Sequence, residues 1–283
     1  MTRLQYDVHI SGAEALPVPS PVQPPNGDPP TWSPISSTLI YGDTEALLVD
    51  PPITIDQARQ VAEWVKGFGR GLSAVYITHA HGDHWYGTPT LLEYFPDATV
   101  YATQRVIGEM RKSTPGGKPN PRYAALFPGK LSDTPVLARP VPAGGLSVDE
   151  QALHAVEVGH SDTDNTTVLH VPSIGLVVAG DVIYNNVHQS VREGRAGGLR
   201  AWMDAVDTVA SLDPRHVVAG HKDPAREDDP ATIARTREYL LAVEQILAGE
   251  PTRDEFFYRV TGRFPGRLNT TTVSYSALQL IPG

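Results

Sequence analysis

The chain has 283 residues, contains no cysteine and ten histidines, and carries a formal net charge of −9. The absence of cysteine excludes disulfide bonds, thiol nucleophiles and every metal site that needs a thiolate, so a bound metal would have to be held by histidine, aspartate or glutamate. The excess of acidic residues argues against a nucleic-acid-binding protein, which would normally present a basic surface.

The N-terminal segment is rich in proline. Residues 17–34 contain eight prolines in eighteen positions, which neither a helix nor a central strand tolerates. We therefore expect residues 1–34 to form an extended arm ahead of a single domain at 35–283, and Trp32 near its end could anchor the arm or cover a site. The chain has no signal-peptide core and no run of about 18 apolar residues, so we expect a cytoplasmic protein.

Beyond the arm, strands alternate with helices. In the first half we predict strands at 37–41, 46–50, 73–78 and 98–102, and helices at 54–66, 88–94 and 103–112. Residues 113–146 are rich in proline, glycine and lysine and are expected to form a long loop or insertion. In the second half we predict strands at 152–158, 166–171, 175–179 and 216–219, and helices at 199–212 and 230–248. Residues 251–283 give no clear pattern. Two halves of this kind indicate an α/β fold with helices outside a two-layered core.

Seven polar residues follow predicted strands directly. His79, His81, Asp83 and His84 come after the strand at 73–78, and His160, Asp181 and His221 each follow a glycine at the end of a later strand. Functional side chains gather in loops at the carboxyl ends of strands. Seven nitrogen and oxygen donors are enough for two metal ions, and such donors suit Zn, Mn, Fe or Co.

On these seven residues the chain resembles the metallo-β-lactamase superfamily over roughly residues 35–225. The resemblance implies an α/β fold of the αββα sandwich type, with four layers. It also implies two divalent metal ions, with Zn²⁺ as the default. By the family pattern, His79, His81 and His160 would hold the first metal, Asp83, His84 and His221 the second, and Asp181 would bridge the two.

Two features narrow the resemblance within this broad family. The missing cysteine excludes the β-lactamases that use a cysteine ligand, and the other di-zinc β-lactamases usually lack the bridging aspartate that Asp181 supplies. The ligand set is therefore closer to lactonases, glyoxalase II-type thioesterases and phosphodiesterases. Tyr184, three residues after Asp181, is similar to the tyrosine of N-acyl-homoserine-lactone lactonases that points at the substrate carbonyl. A tyrosine packed beside the site is the alternative interpretation.

The resemblance implies a di-metal hydrolase that cleaves a carboxylic ester or lactone with a bridging hydroxide. Asp83 is then predicted to carry a proton to the leaving group, and Tyr184 to stabilise the charge that develops on oxygen. A thioester or β-lactam hydrolase with the same metal pair, a mononuclear-iron sulfur dioxygenase and a metal-binding protein without catalysis are the alternatives.

The remaining candidates concern the substrate pocket. His188, Trp85, Tyr86 and Phe127 are candidate substrate-binding residues, although His188 could be a surface histidine and Trp85 and Tyr86 could belong to the core. Asp50, at the end of a predicted strand, could support a ligand histidine from behind. We expect a small-molecule substrate and neither a nucleic acid nor a membrane as partner, and a homodimer stays open.

Overall fold

Residues 3–17, 20 and 22–282 are described by a computed structural model; positions 18, 19 and 21 of the predicted arm lie outside the described residues. The first β-sheet has six strands in the order of the chain: β1 (Gln5–Ser11), β2 (Ile35–Tyr41), β3 (Glu45–Val49), β4 (Gly71–Tyr76), β5 (Thr99–Ala102) and β6 (Arg139–Pro140). The first three strands are antiparallel, and β3 to β6 run parallel to one another.

The second sheet contains five strands of the second half of the chain. They are β7 (Leu146–Val148), β8 (Gln151–Gly159), β9 (Thr166–Val171) and β10 (Leu176–Val178), followed, after the short β11 (Tyr184–Asn185), by β12 (His216–Val218). Their order across the sheet is β12-β10-β9-β8-β7, with β10 and β12 parallel. A two-stranded parallel sheet pairs β11 with β13 (His221–Lys222).

Eight helices surround the sheets within the described part of the chain. They are α1 (Ile55–Lys66), α2 (Thr88–Tyr94), α3 (Gln104–Ser113), α4 (Pro121–Leu126), α5 (Gly198–Ser211), α6 (Ala231–Ala248), α7 (Arg253–Arg263) and α8 (Thr270–Leu280). Thr54 caps α1 in a capping box with Gln57, which satisfies two backbone donors of the first turn. None of the described helices is both long and apolar enough to cross a membrane.

Three apolar clusters define the layers. Side chains from both sheets meet in a central cluster that includes Leu47 and Tyr76 from the first sheet and Leu169 and Val178 from the second. One outer cluster packs the first sheet against α1 to α3, and the other packs the second sheet against α5 to α8. Because each sheet buries both of its faces, the layers run helix, sheet, sheet, helix. The predicted αββα sandwich is confirmed.

The predicted elements from residue 35 to 248 are confirmed with ends shifted by two residues or fewer, and the differences lie elsewhere. The N-terminal segment contributes β1, whose alternating apolar residues pair with β2 along its whole length. The segment at 113–146 is not only a loop, since it contains α4 and β6. The unassigned C-terminal segment forms α7 and α8, which pack on the outer face of the second sheet.

Candidate metal centre

The loop after β4 brings four predicted ligands to the edge of the first sheet. The chain leaves the strand at Ile77 and tightens into a turn of 3₁₀ helix at Gly82–His84. Gly82 is needed for this turn because a Cβ there would lie 2.5 Å from the Tyr86 ring. The side chains of His79 and His84 are fully buried as a result.

The second sheet supplies Asp181 and His221 from neighbouring connections. Asp181 lies in a turn of 3₁₀ helix at Gly180–Val182, directly after β10, and His221 begins β13. Gly220 passes so close to Asp181 that a Cβ on it would collide with the carboxylate. The sequence predicts that the glycine before His221 allows a close approach of the backbone. The structure gives the reason, since a larger residue at this position would not fit beside Asp181.

Six of the seven predicted ligands come together between the sheets. Among the described residues, three sets have potential ligand atoms within 4.8 Å of one another: His79, His81, Asp162 and Asp181; Asp50, His79 and His84; and Asp83, His84 and His221. Asp181 also joins the last set, because its two carboxylate oxygens lie 3.2 Å from His84 Nε2 and 3.1 Å from His221 Nε2. Its position between the groups fits the proposed bridging role.

The inner atoms of this cluster are buried and lack hydrogen-bond partners. His79 Nε2, His84 Nε2 and Asp181 Oδ1 are inaccessible to solvent, and none forms a well-aligned hydrogen bond with the described residues, although the last two lie 3.2 Å apart. Burying such atoms unpaired costs free energy that a folded protein normally avoids. Since each carries a lone pair that suits a metal, the donor set fits divalent cations.

Each histidine of the site is held from behind through Nδ1. His79 Nδ1 lies 3.0 Å from Thr78 Oγ1, His84 Nδ1 lies 3.2 Å from Asp50 Oδ2, and His221 Nδ1 donates to the Pro34 carbonyl over 2.7 Å. These contacts place the proton on Nδ1 and leave the Nε2 lone pair for the interior. This is the arrangement expected of metal-ligating histidines. Asp50 takes the supporting position that its sequence context suggested.

His160 shares this arrangement but lies outside the three groups. Its Nδ1 contacts Asp164 Oδ1 at 2.7 Å, and its Nε2 is buried without a partner. The structure therefore orients His160 as a ligand without bringing it within reach of the other donors. Its role as a ligand of the first metal stays a prediction.

Asp162 is the site residue that sequence reasoning missed. It lies two positions beyond His160 in the same loop, and its carboxylate contacts His81 Nδ1 at 2.8 Å. Only the pattern His-x-Asp marked it, and such a pattern is too common to single out a residue. Although burial opposes it, Asp162 raises the pKa of His81 to about 10.

Burial and charge set the protonation of the centre. Burial, followed by the neighbouring His84, lowers the pKa of His79 well below its usual value, so its ring is neutral. Burial alone would raise the pKa of Asp181, but His221 and His84 hold it well below the usual range. Burial and Asp181 together raise the pKa of Tyr184, so its hydroxyl keeps its proton at neutral pH.

A partly open cavity lies over the centre and is lined by Asp83, Asp181, His221 and Tyr184, among others. Tyr184 donates a hydrogen bond to Asp181 Oδ2 over 2.8 Å. The proline-rich arm supplies Trp32, which also lines the cavity and whose indole donates to Asp83 Oδ2 over 3.0 Å. Of the two roles considered for Trp32, the structure supports the covering role.

The four other substrate-binding candidates do not line this cavity. His188 is buried beside Tyr239, with Nδ1 3.1 Å from the tyrosine hydroxyl. Trp85 donates to the Ala80 carbonyl, and Tyr86 donates to the Ser113 carbonyl. Phe127 is buried beneath Trp32. These three aromatic residues belong to the core of the first sheet, which is the alternative noted for Trp85 and Tyr86.

Comparison with known proteins agrees with this geometry. The family model for the metallo-beta-lactamase superfamily matches residues 30–221. The chain is similar to hydroxyacylglutathione hydrolases from Parasynechococcus marenigrum, with 48% identity over 63 residues (22% of this chain, 23% of the relative), and Francisella philomiragia, with 42% over 64 residues (23% of this chain, 24% of the relative). The matched part thus spans about a quarter of the length of these relatives.

Among solved structures, the chain is similar to the metallo-β-lactamase FIM-1 from Pseudomonas aeruginosa in its mono-zinc form. The TM-score is 0.57 at 17% identity, covering 84% of this chain and 91% of that one. A metallo-β-lactamase from Pontibacter korlensis gives a TM-score of 0.57 at 15% identity, covering 85% and 99%. At such low identity these structures support the fold.

Proposed function

This chain belongs to the metallo-β-lactamase superfamily, and from that membership we propose that it is a hydrolase that uses two divalent metal ions to cleave a carboxylic ester or lactone. The observation that carries the proposal is the set of buried, unpaired Nε2 and carboxylate atoms that converge beneath an open cavity. A buried cluster with a purely structural role would normally satisfy such atoms with well-formed hydrogen bonds.

The proposal assigns the ligands by the family pattern. His79, His81 and His160 would hold one ion, Asp83, His84 and His221 the other, and Asp181 both, with zinc as the default metal. Asp162 would orient His81 from behind. When bound, the ions would supply Lewis acidity towards a carbonyl oxygen and lower the pKa of water towards neutrality.

Two residues of the chain would take part in the chemistry directly. Tyr184 keeps its proton and faces the cavity beside Asp181, so it can donate a hydrogen bond to an oxygen on which negative charge develops. Asp83 is held by Trp32 at Oδ2 and lies 3.4 Å from the Tyr123 hydroxyl at Oδ1. Fixed in this way, Asp83 can take a proton on the attacking side and deliver it to the leaving oxygen.

The second candidate function is hydrolysis of a thioester. It is favoured by the local similarity to hydroxyacylglutathione hydrolases. A panel of lactones, aryl esters, thioesters and a cephalosporin, assayed with the zinc-loaded protein, separates the candidates by the ratio of their kcat/KM values. Oxygen consumption with one iron per chain would instead favour the sulfur dioxygenase.

The replacement Asp181→Asn tests the proposal as a whole. An amide supplies one neutral oxygen in place of a charged carboxylate, so we expect bound metal to fall below two ions per chain. We expect kcat/KM to fall by more than about 100-fold, because even the outer partners of ligands contribute about 10–100-fold. Metal content is measured by elemental analysis after dialysis.

The matched control is Asp207→Asn, which changes an exposed aspartate on α5. Full metal content and activity in Asp181→Asn would refute the proposal.

A further inference from the structure

Two arginines from distant parts of the chain line the same cavity as the metal centre. Arg122 comes from α4, in the connection between β5 and β6 of the first sheet, and Arg192 comes from the connection before α5. Their guanidinium carbons lie 4.5 Å and 6.0 Å from the centre of the Tyr275 ring. The shared tyrosine fixes both cations on one wall of the cavity.

Both arginines are left with unused hydrogen-bonding capacity. The Nε atom of each is buried and has no partner among the described residues. Arg122 forms no ion pair with any described residue, although its guanidinium lines the cavity. The Arg192 side chain is only 10% exposed and contacts Glu193 at 3.3 Å and His81 at Nε2. A guanidinium offers five donors, and the buried Nε donor of each arginine stays free for a further acceptor.

The carboxylates of the protein fill this need only in part. Glu193 contacts Arg192, but Arg122 pairs with no described carboxylate. Asp83 and Asp181 face His221 and His84, and Asp162 faces His81. Burial of a donor without an acceptor costs free energy. A bound anion would therefore complete the wall on which Arg122 and Arg192 lie.

We infer that the cavity binds a substrate that carries a carboxylate group, and that Arg122 and Arg192 recognise this group. The inference rests on the proposed function, since the bond that is cleaved would lie at the metal centre. Leu16, Val22 and Leu126 supply apolar walls for the hydrocarbon part of the substrate. A carboxylate is favoured over a phosphate because Glu193 already offsets the charge of Arg192. The two guanidinium groups then present a single uncompensated positive charge, which suits a monoanion.

The contact between Arg192 and His81 fits this inference. In the proposed function His81 Nε2 is a metal ligand, so it cannot also accept a hydrogen bond from Arg192. The donor on Arg192 then needs another acceptor within the cavity, and a planar guanidinium matches the two oxygens of a carboxylate.

The first experiment compares two esters that differ only in charge. Mono-p-nitrophenyl glutarate carries a free carboxylate, and p-nitrophenyl methyl glutarate does not. For Arg122→Gln and Arg192→Gln in the zinc-loaded protein, we expect KM for the charged ester to rise about 10-fold or more, as loss of a charge-assisted hydrogen bond implies. KM for the uncharged ester should change less than about twofold. Arg111→Gln, which replaces an exposed arginine of α3 outside the cavity, is the matched control.

A titration of the zinc-loaded protein with pentanoate, which carries a carboxylate but no ester bond, measures binding without hydrolysis. We expect the parent and Arg111→Gln to bind it equally and each cavity variant to bind it about 10-fold more weakly. If the parent hydrolyses neither ester, the proposed function fails, while the titration still decides the anion subsite. Equal losses for both esters, or binding of methylphosphonate more tightly than of the carboxylate, would overturn the inference.

Discussion

At the scale of single residues, the outer partners of the histidines are the most direct test of the metal centre. The Asp162 carboxylate contacts His81 Nδ1 and favours a proton on this nitrogen. An amide in its place would bind that proton more weakly, because its oxygen is uncharged. We expect Asp162→Asn to lower zinc affinity by about 10–100-fold, as measured by competition with a chromophoric chelator. Unchanged affinity would show that Asp162 has no part in the site.

Asp164 provides a matched replacement in the same loop because it contacts His160 in the way that Asp162 contacts His81. If His160 is a metal ligand, Asp164→Asn should also lower zinc affinity. The effect should be smaller than that of Asp162→Asn, since the Asp164 side chain is 74% exposed and water can replace it. No effect of Asp164→Asn, together with a clear effect of Asp162→Asn, would argue against His160 as a ligand.

His188 makes a prediction about pH that is independent of the metal. Burial, followed by the nearby Arg267, lowers its pKa to about 3. At pH values between the ordinary pKa of about 6.5 and this lowered pKa, the histidine is protonated in the unfolded chain but neutral in the folded chain. This contribution to stability is therefore complete above pH of about 6.5 and is lost on acidification, by at most about 1.4 kcal/mol per pH unit.

The replacement His188→Gln isolates this effect, because all other titrating groups are common to both proteins. Loss of the contact with Tyr239 should make the variant less stable at pH 8 by about 1 kcal/mol. The difference should narrow as the pH falls from about 6.5, because only the parent then loses the histidine contribution. Urea unfolding at several pH values measures the free energy of unfolding of both proteins. A difference between them that stays constant with pH would contradict the lowered pKa of His188.

Residue types explain what could be predicted of the site. The motif around His79 and the glycine-preceded Asp181 and His221 could be identified because ligand chemistry needs these side chains at strand ends. Asp162 and Arg192 could not, because their roles depend on contacts between loops far apart in sequence. Trp85 and Tyr86 follow the motif directly and Phe127 lies in the segment predicted as a loop, but all three pack into the core of the first sheet.

At the scale of elements, the proline-rich arm is part of the site. The Thr31 N–H donates a hydrogen bond to Thr271 Oγ1 on α8, and the Trp32 indole donates to Asp83. We expect Trp32→Phe to keep the aromatic packing on Tyr123 and Phe127 but to release Asp83 Oδ2. Affinity for the second metal should fall by up to about 10-fold, as for other outer partners.

Trp64→Phe on α1 is the control for this replacement, since Trp64 packs on Phe68 and His9 far from the centre. The readout is a zinc titration that resolves two binding steps. A loss of affinity confined to Trp32→Phe would show that the arm positions a metal ligand. Equal affinities in both variants would reduce Trp32 to a covering residue.

The elements also show why some parts of the fold were harder to predict than others. The capping box at Thr54 marks the start of α1, and Thr252 with Glu255 forms the same signal at α7. The second signal lies in a segment without a clear apolar period, so it does not by itself predict a helix. Strand β1 precedes the proline-rich stretch, and its pairing with β2 joins residues on either side of it, as far apart as Ser11 and Ile35 at the nearest point.

At the scale of the whole molecule, the metal centre connects parts of the chain that are otherwise separate layers. His79 and His84 come from the first sheet, Asp181 and His221 from the second, and Pro34 from the arm holds His221. The net charge of −9 does not determine what this site binds, because the site depends on its own aspartates and histidines. The composition limits the residue types that can serve as metal ligands, and the αββα fold determines which of these residues lie close together.

Because the ligands join both sheets, metal binding should stabilise the entire fold. A ligand that binds only the folded chain at about 100 times its dissociation constant adds about 2.7 kcal/mol. For a chain of this size we expect chelation with EDTA to lower Tm by about 5 °C or more. Zinc should restore the original Tm, whereas magnesium should not, since it prefers oxygen ligands and keeps its own water shell. In Asp181→Asn the decrease in Tm on chelation should be smaller than in the parent, because the variant binds less metal before chelation. An equal Tm before and after chelation, at a measured zinc content of zero, would mean that the two sheets hold the site without any contribution from the metal.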